Sequence, residues 1–272
     1  MSAKGVIKKS VLSRNEQKNK YHVSGYNIDL DNDNDSHTII VKSVVNANSV
    51  LDVGCGPGYI GECLKKLGVQ KVDGIEIDRE ARKIAAQSYN KVYRFSVDPS
   101  VKNRAYLKFL KKKKKYDYII FADILEHLSD PGRAIADFSR KLSGNGKMII
   151  SIPNISNIDV IIGLLNQNFN YSSTGILDST HLRFFTENSF YDLLDNINDS
   201  YGLNLQARLI SHTYARDESV DTDLLVKLFG SDIFIFQNVF EISQVVKPRQ
   251  PRKKVDNYKK FLKYIKDLER KK

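Results

Sequence analysis

The chain reads as an α/β protein built on a doubly wound, mostly parallel sheet. Three observations predict this. Short apolar runs alternate with amphipathic ones between residues 49 and 152. The apolar runs are rich in Val and Ile, as strands covered on both faces must be. Glycines follow directly on the first run, at the strand end where open parallel sheets hold ligands.

The elements follow in order. Asp31, Asp33 and Asp35 have the spacing of a calcium loop, but Ser36 and Lys42 stand where the glycine and the bidentate acid belong. Residues 29–36 are therefore expected to cap a helix over His37–Val45. Ser49–Val53 predicts a strand, followed by glycines and a helix through Gly68 with Ile60, Leu64 and Leu67 on its apolar side. Lys71–Ile77 predicts a second strand, with a helix around Ala81–Gln87. Lys91–Val97 predicts a third, then a helix from near Val101 whose solvated end is Lys111–Lys115. Tyr116–Ala122 is the fourth strand. A helix over Asp130–Leu142 is opened by Asp130-Pro131 and closed by Gly144-Asn145-Gly146. Lys147–Ile152 is the fifth strand, ending at Pro153. Thr186 caps a helix before Phe190–Leu194, and Asn204–His212 and Ile233–Ile242 predict two more strands.

The net charge of +11 hints at nucleic acid, but its location argues otherwise. Residues 1–20 hold six basic side chains and one acidic; residues 247–272 hold twelve and three. The body, 21–246, is left near −3, without the positive face that a duplex-binding fold carries. The division expected is a basic N-terminal extension (1–20), one catalytic domain (21–246) and a basic tail (247–272). In the tail Val255, Tyr258, Phe261, Leu262, Ile265 and Leu268 recur at helical spacing opposite lysines, predicting an amphipathic helix. It would dock on a membrane surface, a partner or the body itself. With no membrane-length apolar run, no signal-peptide core and two cysteines, the expected location is the reducing cytoplasm, or peripherally at the inner membrane face.

The strongest site is Leu51–Gly58, where a strand ends in glycines and a helix begins. Gly56-x-Gly58-x-x-Gly61 satisfies the dinucleotide fingerprint, and Glu76 lies at the ribose spacing. The register is wrong, however: counted from Gly54, the third glycine falls on Tyr59. The alternative is Asp52 in the strand end, glycines at every second position and Glu76 beyond. That pattern serves a ligand with an amino-acid tail and a ribose but no pyrophosphate.

VLDVGCGPG at residues 50–58 closely resembles motif I of the class I S-adenosyl-L-methionine (AdoMet)-dependent methyltransferases. The resemblance continues through GIEID (74–78), DYIIFADILEHL (117–128) and SIPN (151–154), and spans roughly residues 40–245. It implies a seven-stranded Rossmann-like sheet with the last strand antiparallel. It also implies that Asp52, Gly54, Cys55, Gly56 and Gly58 hold the methionine end of AdoMet. Glu76, with Ile77 beside it, would bind the ribose, and Asp98 the adenine; each carboxylate also reads as a cap or turn residue. Asp123 completes the implied cofactor set.

Past the fourth strand lie Asp123, Glu126 and His127, where the methyl should emerge. A hydroxyl acceptor benefits from a base or from a metal acting as a Lewis acid. The Asp-x-x-Glu-His spacing resembles the Glu-x-x-Glu-His metal triad of some ubiquinone-pathway and RNA-end methyltransferases. That implies a divalent metal on Asp123, Glu126 and His127 completed by Asn154; the alternative is that these residues orient loops. Further on, His181-x-Arg183 joins a candidate base to a fixed cation suited to phosphate or carboxylate. GILDSTHLRFFT (175–186) resembles bacterial methyltransferases associated with glycosyltransferases and surface-polysaccharide synthesis. It implies O-methylation of a sugar or glycan, lipid-linked or free, beside a glycosyltransferase partner. Competing readings are a quinone-type O-methyltransferase, an RNA methyltransferase and a non-catalytic AdoMet-binding scaffold.

Overall fold

Val50, Leu51 and Val53 are buried on both sides, which is why strand β1 (Ser49–Val53) takes the middle of the sheet. The computed structural model describes residues 27–101, 103–215 and 230–245, with positions 226–227, 263, 266–267 and 270. The remaining strands are β2 (Lys71–Ile75), β3 (Lys91–Tyr93), β4 (Tyr116–Ala122), β5 (Leu142–Pro153), β6 (Leu205–Tyr214) and β7 (Ile235–Gln244). They form one seven-stranded sheet in the order β3-β2-β1-β4-β5-β7-β6. Pairing is parallel from β3 to β5, and β7 runs antiparallel to both its neighbours. The expected seven strands with an antiparallel last strand are present.

Alternation along each strand divides the core in two. On one face Val50, Tyr118 and Ile120 meet helices α1 (Ser36–Ser43), α2 (Tyr59–Lys66) and α3 (Arg79–Ala85), through Ile40, Leu64 and Ala85. On the other, Leu51, Val53, Ile119 and Phe121 meet α4 (Arg104–Leu110), α5 (Pro131–Ser139) and α7 (Glu187–Tyr201). Here Phe138 packs edge-on against Phe121, and Phe190 stacks on Phe240 with ring centroids 4.3 Å apart.

The helix starts obey their sequence signals. Asp35 accepts from the Thr38 N–H, Asp78 from Glu80 and Ala81, and Asp130 from Arg133. Thr186 opens α7 with a reciprocal capping box completed by Ser189.

Several boundaries differ from expectation, for stated reasons. Gly144-Asn145-Gly146 does not close a helix: α5 ends at Ser139, and the glycines lie within β5. The β4–β5 register shifts between Tyr116 and Tyr118, and Gly146 backs so closely on this irregularity that a Cβ there would lie 2.8 Å from the Tyr116 carbonyl. The helix expected from Val101 starts at Arg104, after Asn103 caps it. Lys111–Lys115 is not simply a solvated helix end. Lys114 pairs with buried Asp73 at 2.6 Å, and Lys112 lies over the Tyr93 ring. Helix α6 (Ile158–Leu165) has no polar stripe in IDVIIGLL, so periodicity did not mark it. The N-terminal extension lies outside the described residues, as does the helix expected over Lys253–Lys272 apart from positions 263, 266–267 and 270. Among described residues, no helix is long and apolar enough to cross a membrane.

Candidate functional site

The strand order reverses between β1 and β4, so their carboxyl ends flank the crevice where open α/β sheets bind ligands. The glycine turn leaves β1 there. Gly54 and Cys55 both donate to the Ile75 carbonyl, at 2.8 and 3.0 Å, and the chain then turns into α2. Gly54, Gly56 and Gly58 all have positive φ (71°, 51° and 97°).

One buried ring holds this turn, and the motif reading missed it. The Tyr89 hydroxyl accepts from the Gly61 N–H at 2.9 Å and donates to Asp52 Oδ2 at 2.6 Å. A Cβ on Gly61 would lie 2.1 Å from that ring, so the third glycine of the fingerprint makes room for tyrosine. A tyrosine in the α3–β3 connection, 28 residues from Gly61, leaves no local signal.

Asp52 is 2% exposed. Burial pushes its carboxyl up to about 7, the Tyr89 hydrogen bond opposes this, and the Glu76 charge adds to it. The fold therefore favours the neutral form. That contribution to stability is complete below the ordinary carboxylate range and is lost as pH rises through about 7. Urea unfolding between pH 5 and 8 is expected to show this decline, and Asp52→Asn to flatten it; the same slope in both proteins would refute the assignment.

Glu76 closes the turn from β2. Its Oε2 accepts from Gly56 N–H at 2.9 Å and its Oε1 from Asp78 N–H at 2.6 Å. Burial raises its carboxyl, and these two donors partly offset the rise. Ile77 beside it is 59% exposed, an apolar surface open to a planar group. Cys55 is buried and its thiol is pushed up by burial and by the charges of Asp52 and Glu76, which leaves it no nucleophilic thiolate.

Asp98 serves as a latch. It accepts from both the N–H and the hydroxyl of Ser129, and from the Ser100 N–H. Burial alone would raise its carboxyl, but these donors hold it below the usual range. The Ser129 carbonyl in turn accepts from Arg183 Nη2 at 2.6 Å.

Across the crevice, β4 ends at Ala122 and is followed by Asp123, held at a positive φ of 50°. Asp123 Oδ1 accepts from Ser151 Oγ at 3.0 Å and from Gln237 Nε2 at 2.8 Å. Burial raises its carboxyl; the charge of His37 counters most strongly. A turn of 3-10 helix at Leu125–His127 follows. Glu126 is 1% exposed, and neither carboxylate oxygen has a hydrogen-bond partner. Burial and the Asp123 charge push it well above the carboxylate range.

The structure joins two clusters far apart in sequence. The Leu182 and Arg183 N–H groups both donate to the Glu126 carbonyl, at 2.8 and 3.0 Å, which lays the His181 loop on the turn. The His127 and His181 rings meet edge to face, centroids 4.8 Å apart, and His181 Nε2 lies 3.9 Å from Glu126 Oε1. His127 Nδ1 faces the Thr180 carbonyl at 3.2 Å and His181 Nδ1 the Ile176 carbonyl at 2.9 Å. A carbonyl only accepts, so each Nδ1 bears a proton, and in the neutral ring Nε2 then carries the lone pair. Asn154 stands apart, committed to the Ile235 carbonyl and to Ser156.

Comparison with known proteins agrees with this architecture. The chain is 34% identical over 105 residues to the ubiquinone biosynthesis O-methyltransferase of Pelagibacter ubique, covering 39% of this chain and 42% of that protein. It is 29% identical over 116 residues to the ribosomal protein L11 methyltransferase of Macrococcus caseolyticus, covering 42% and 34%. The match thus spans less than half the length of either relative. A SAM-dependent methyltransferase from Archaeoglobus fulgidus shares the fold, with a TM-score of 0.50 and 16% identity over 77% of this chain and 95% of that one. A family model for a methyltransferase domain matches residues 18–201, well over half of the chain, and the chain accordingly belongs to that methyltransferase-domain family.

Proposed function

We propose that this chain transfers the methyl group of AdoMet to a hydroxyl of a sugar in a bacterial surface polysaccharide or its precursor. The observation that carries the cofactor reading is the seat at the sheet's reversal point. There the glycine turn and Glu76 are hydrogen-bonded into one unit beside exposed Ile77. AdoMet fits this seat chemically. The glycines let a ligand approach the backbone of the turn closely, Glu76 offers an acceptor for the ribose hydroxyls, and Ile77 a face for the adenine. Asp52 would act on the ammonium end, and Asp98, already an acceptor for Ser129 and Ser100, would border the adenine. Gly54, Cys55, Gly56 and Gly58 supply the backbone of the seat, and Asp123 borders it on the β4 side.

Bound AdoMet supplies a methyl group that is already activated, so the protein's part is to position the acceptor and manage its proton. His127 and His181 border the acceptor side and would ease the loss of that proton, either as a base or by holding an ion there. Arg183, exposed on the same loop, suits a phosphate or carboxylate on the acceptor.

The sugar reading rests on the polarity of the acceptor side. From Val160 to Leu177 no residue is charged, and Asn166, Gln167, Asn168, Asn170, Ser172, Ser173 and Thr174 are all exposed. Neutral amides and hydroxyls interleaved with exposed Phe169 and Tyr171 match a polyhydroxylated ring better than a charged polymer. A second reading, a quinone-type phenol, is favoured by the aromatic cluster of Phe169, Tyr171 and Phe184 and by the Pelagibacter relative. A glycosyltransferase partner or a lipid-carried acceptor at the inner membrane face would give the basic tail its role.

The test is incubation of the protein with methyl-labelled AdoMet and separated glycolipids, nucleotide sugars, quinone precursors and RNA. Label is expected in a glycan fraction. Label confined to the quinone or RNA fraction replaces the sugar reading, and AdoMet binding with no labelled product points to a scaffold.

A further inference from the structure

Glu126 presents a problem that methyl transfer alone does not explain. A carboxylate removed from water needs partners, and both its oxygens are buried without a hydrogen bond. Asp123 adds a second acid nearby. The nearest cation candidate, His181, has its Nε2 at 3.9 Å, beyond hydrogen-bonding reach, and its Nδ1 proton is directed to the Ile176 carbonyl. The other histidine is oriented the same way, by the Thr180 carbonyl.

One donor atom from each of Glu126, His127 and His181 lies within 4.8 Å of the others. We propose that these three residues bind a single divalent first-row metal ion, of the Zn2+, Co2+ or Mn2+ class, on the acceptor side of the crevice. The site rests on the acceptor reading above and gives it a chemistry. Carbonyls that hold Nδ1–H are the outer partners that fix a metal-binding imidazole, turning the Nε2 lone pair to the ion. Two imidazoles and a carboxylate suit these ions and leave a coordination position open. Donor atoms around such an ion lie about 3.3 Å apart, so the triad closes by modest side-chain rotations.

The set differs from the one the sequence resemblance implies. Asp123 Oδ1 is taken by Ser151 and Gln237, and Asn154 by backbone and Ser156, while His181 enters from a distant loop. In the open position the ion takes the acceptor oxygen, whose O–H bond breaks with the proton passing to water. The ionised oxygen then bonds the methyl carbon as the C–S bond breaks, its electron pair staying on sulfur.

The test uses the full chain stripped with a chelator and titrated with Co2+, read by visible absorption, with S-adenosylhomocysteine binding measured in parallel by calorimetry. One Co2+ per chain is expected, displaced by Zn2+. Glu126→Gln and His181→Asn are expected to bind Co2+ at least about 100-fold more weakly while keeping their S-adenosylhomocysteine affinity. A chain that binds S-adenosylhomocysteine but gives no saturable Co2+ spectrum overturns the site, as do variants that bind Co2+ like the parent. Zn2+ displacement in the unaltered chain reads the site should a variant fail to fold. Saturable Co2+ without S-adenosylhomocysteine binding upholds the metal site and removes the methyl-transfer reading.

Discussion

Glu76→Ala is expected to abolish cofactor binding. Its carboxylate accepts the Gly56 and Asp78 N–H groups, so its loss loosens the glycine turn from β2 as well as removing the proposed ribose partner. Hydrogen bonds to a charged group are each worth about 1.5–3 kcal/mol, and two to a diol would together account for about 10²–10⁴ in affinity. Calorimetry with S-adenosylhomocysteine provides the measurement. An affinity within threefold of the parent would remove AdoMet from this seat. Glu76→Gln, which retains one acceptor oxygen, should fall between the two.

Phe240→Ala is expected to be the most damaging single truncation in the core. The ring lies on β7, is fully buried, stacks on Phe190 and meets Tyr191 edge-on at 5.4 Å, joining the last strand to α7. Truncations of this kind cost about 3–5 kcal/mol, a large share of a typical stability of about 5–15 kcal/mol. Urea unfolding measures it, and a loss below about 1 kcal/mol would contradict the packing. The proposed cofactor seat, at the ends of β1 and β2, is separated from β7 by β4 and β5. S-adenosylhomocysteine affinity should therefore hold wherever the variant remains folded.

The strands and the seat were legible because their signals are local. An apolar run into glycines and Asp78 or Thr186 ahead of a helix each act within a few residues. What escaped depends on distance. Tyr89 supports Gly61 and Asp52 from another turn of the chain, and His181 joins Glu126 through backbone bonds made by Leu182 and Arg183. Gln237 reaches Asp123 from the last strand, 114 residues away. Glycines 144 and 146 misled for a different reason: the punctuation that ends helices also accommodates an irregular strand pairing, and only the β4 partner decides between them.

Ser129 carries a consequence for turnover. Its amide and hydroxyl are tied to Asp98, on the side proposed for the adenine, and its carbonyl to Arg183, on the side proposed for the acceptor. A displacement of this one serine therefore moves both walls of the crevice together. Release of the methylated product and of the spent nucleoside would then share a conformational step, and the slower departure would set the pace for both.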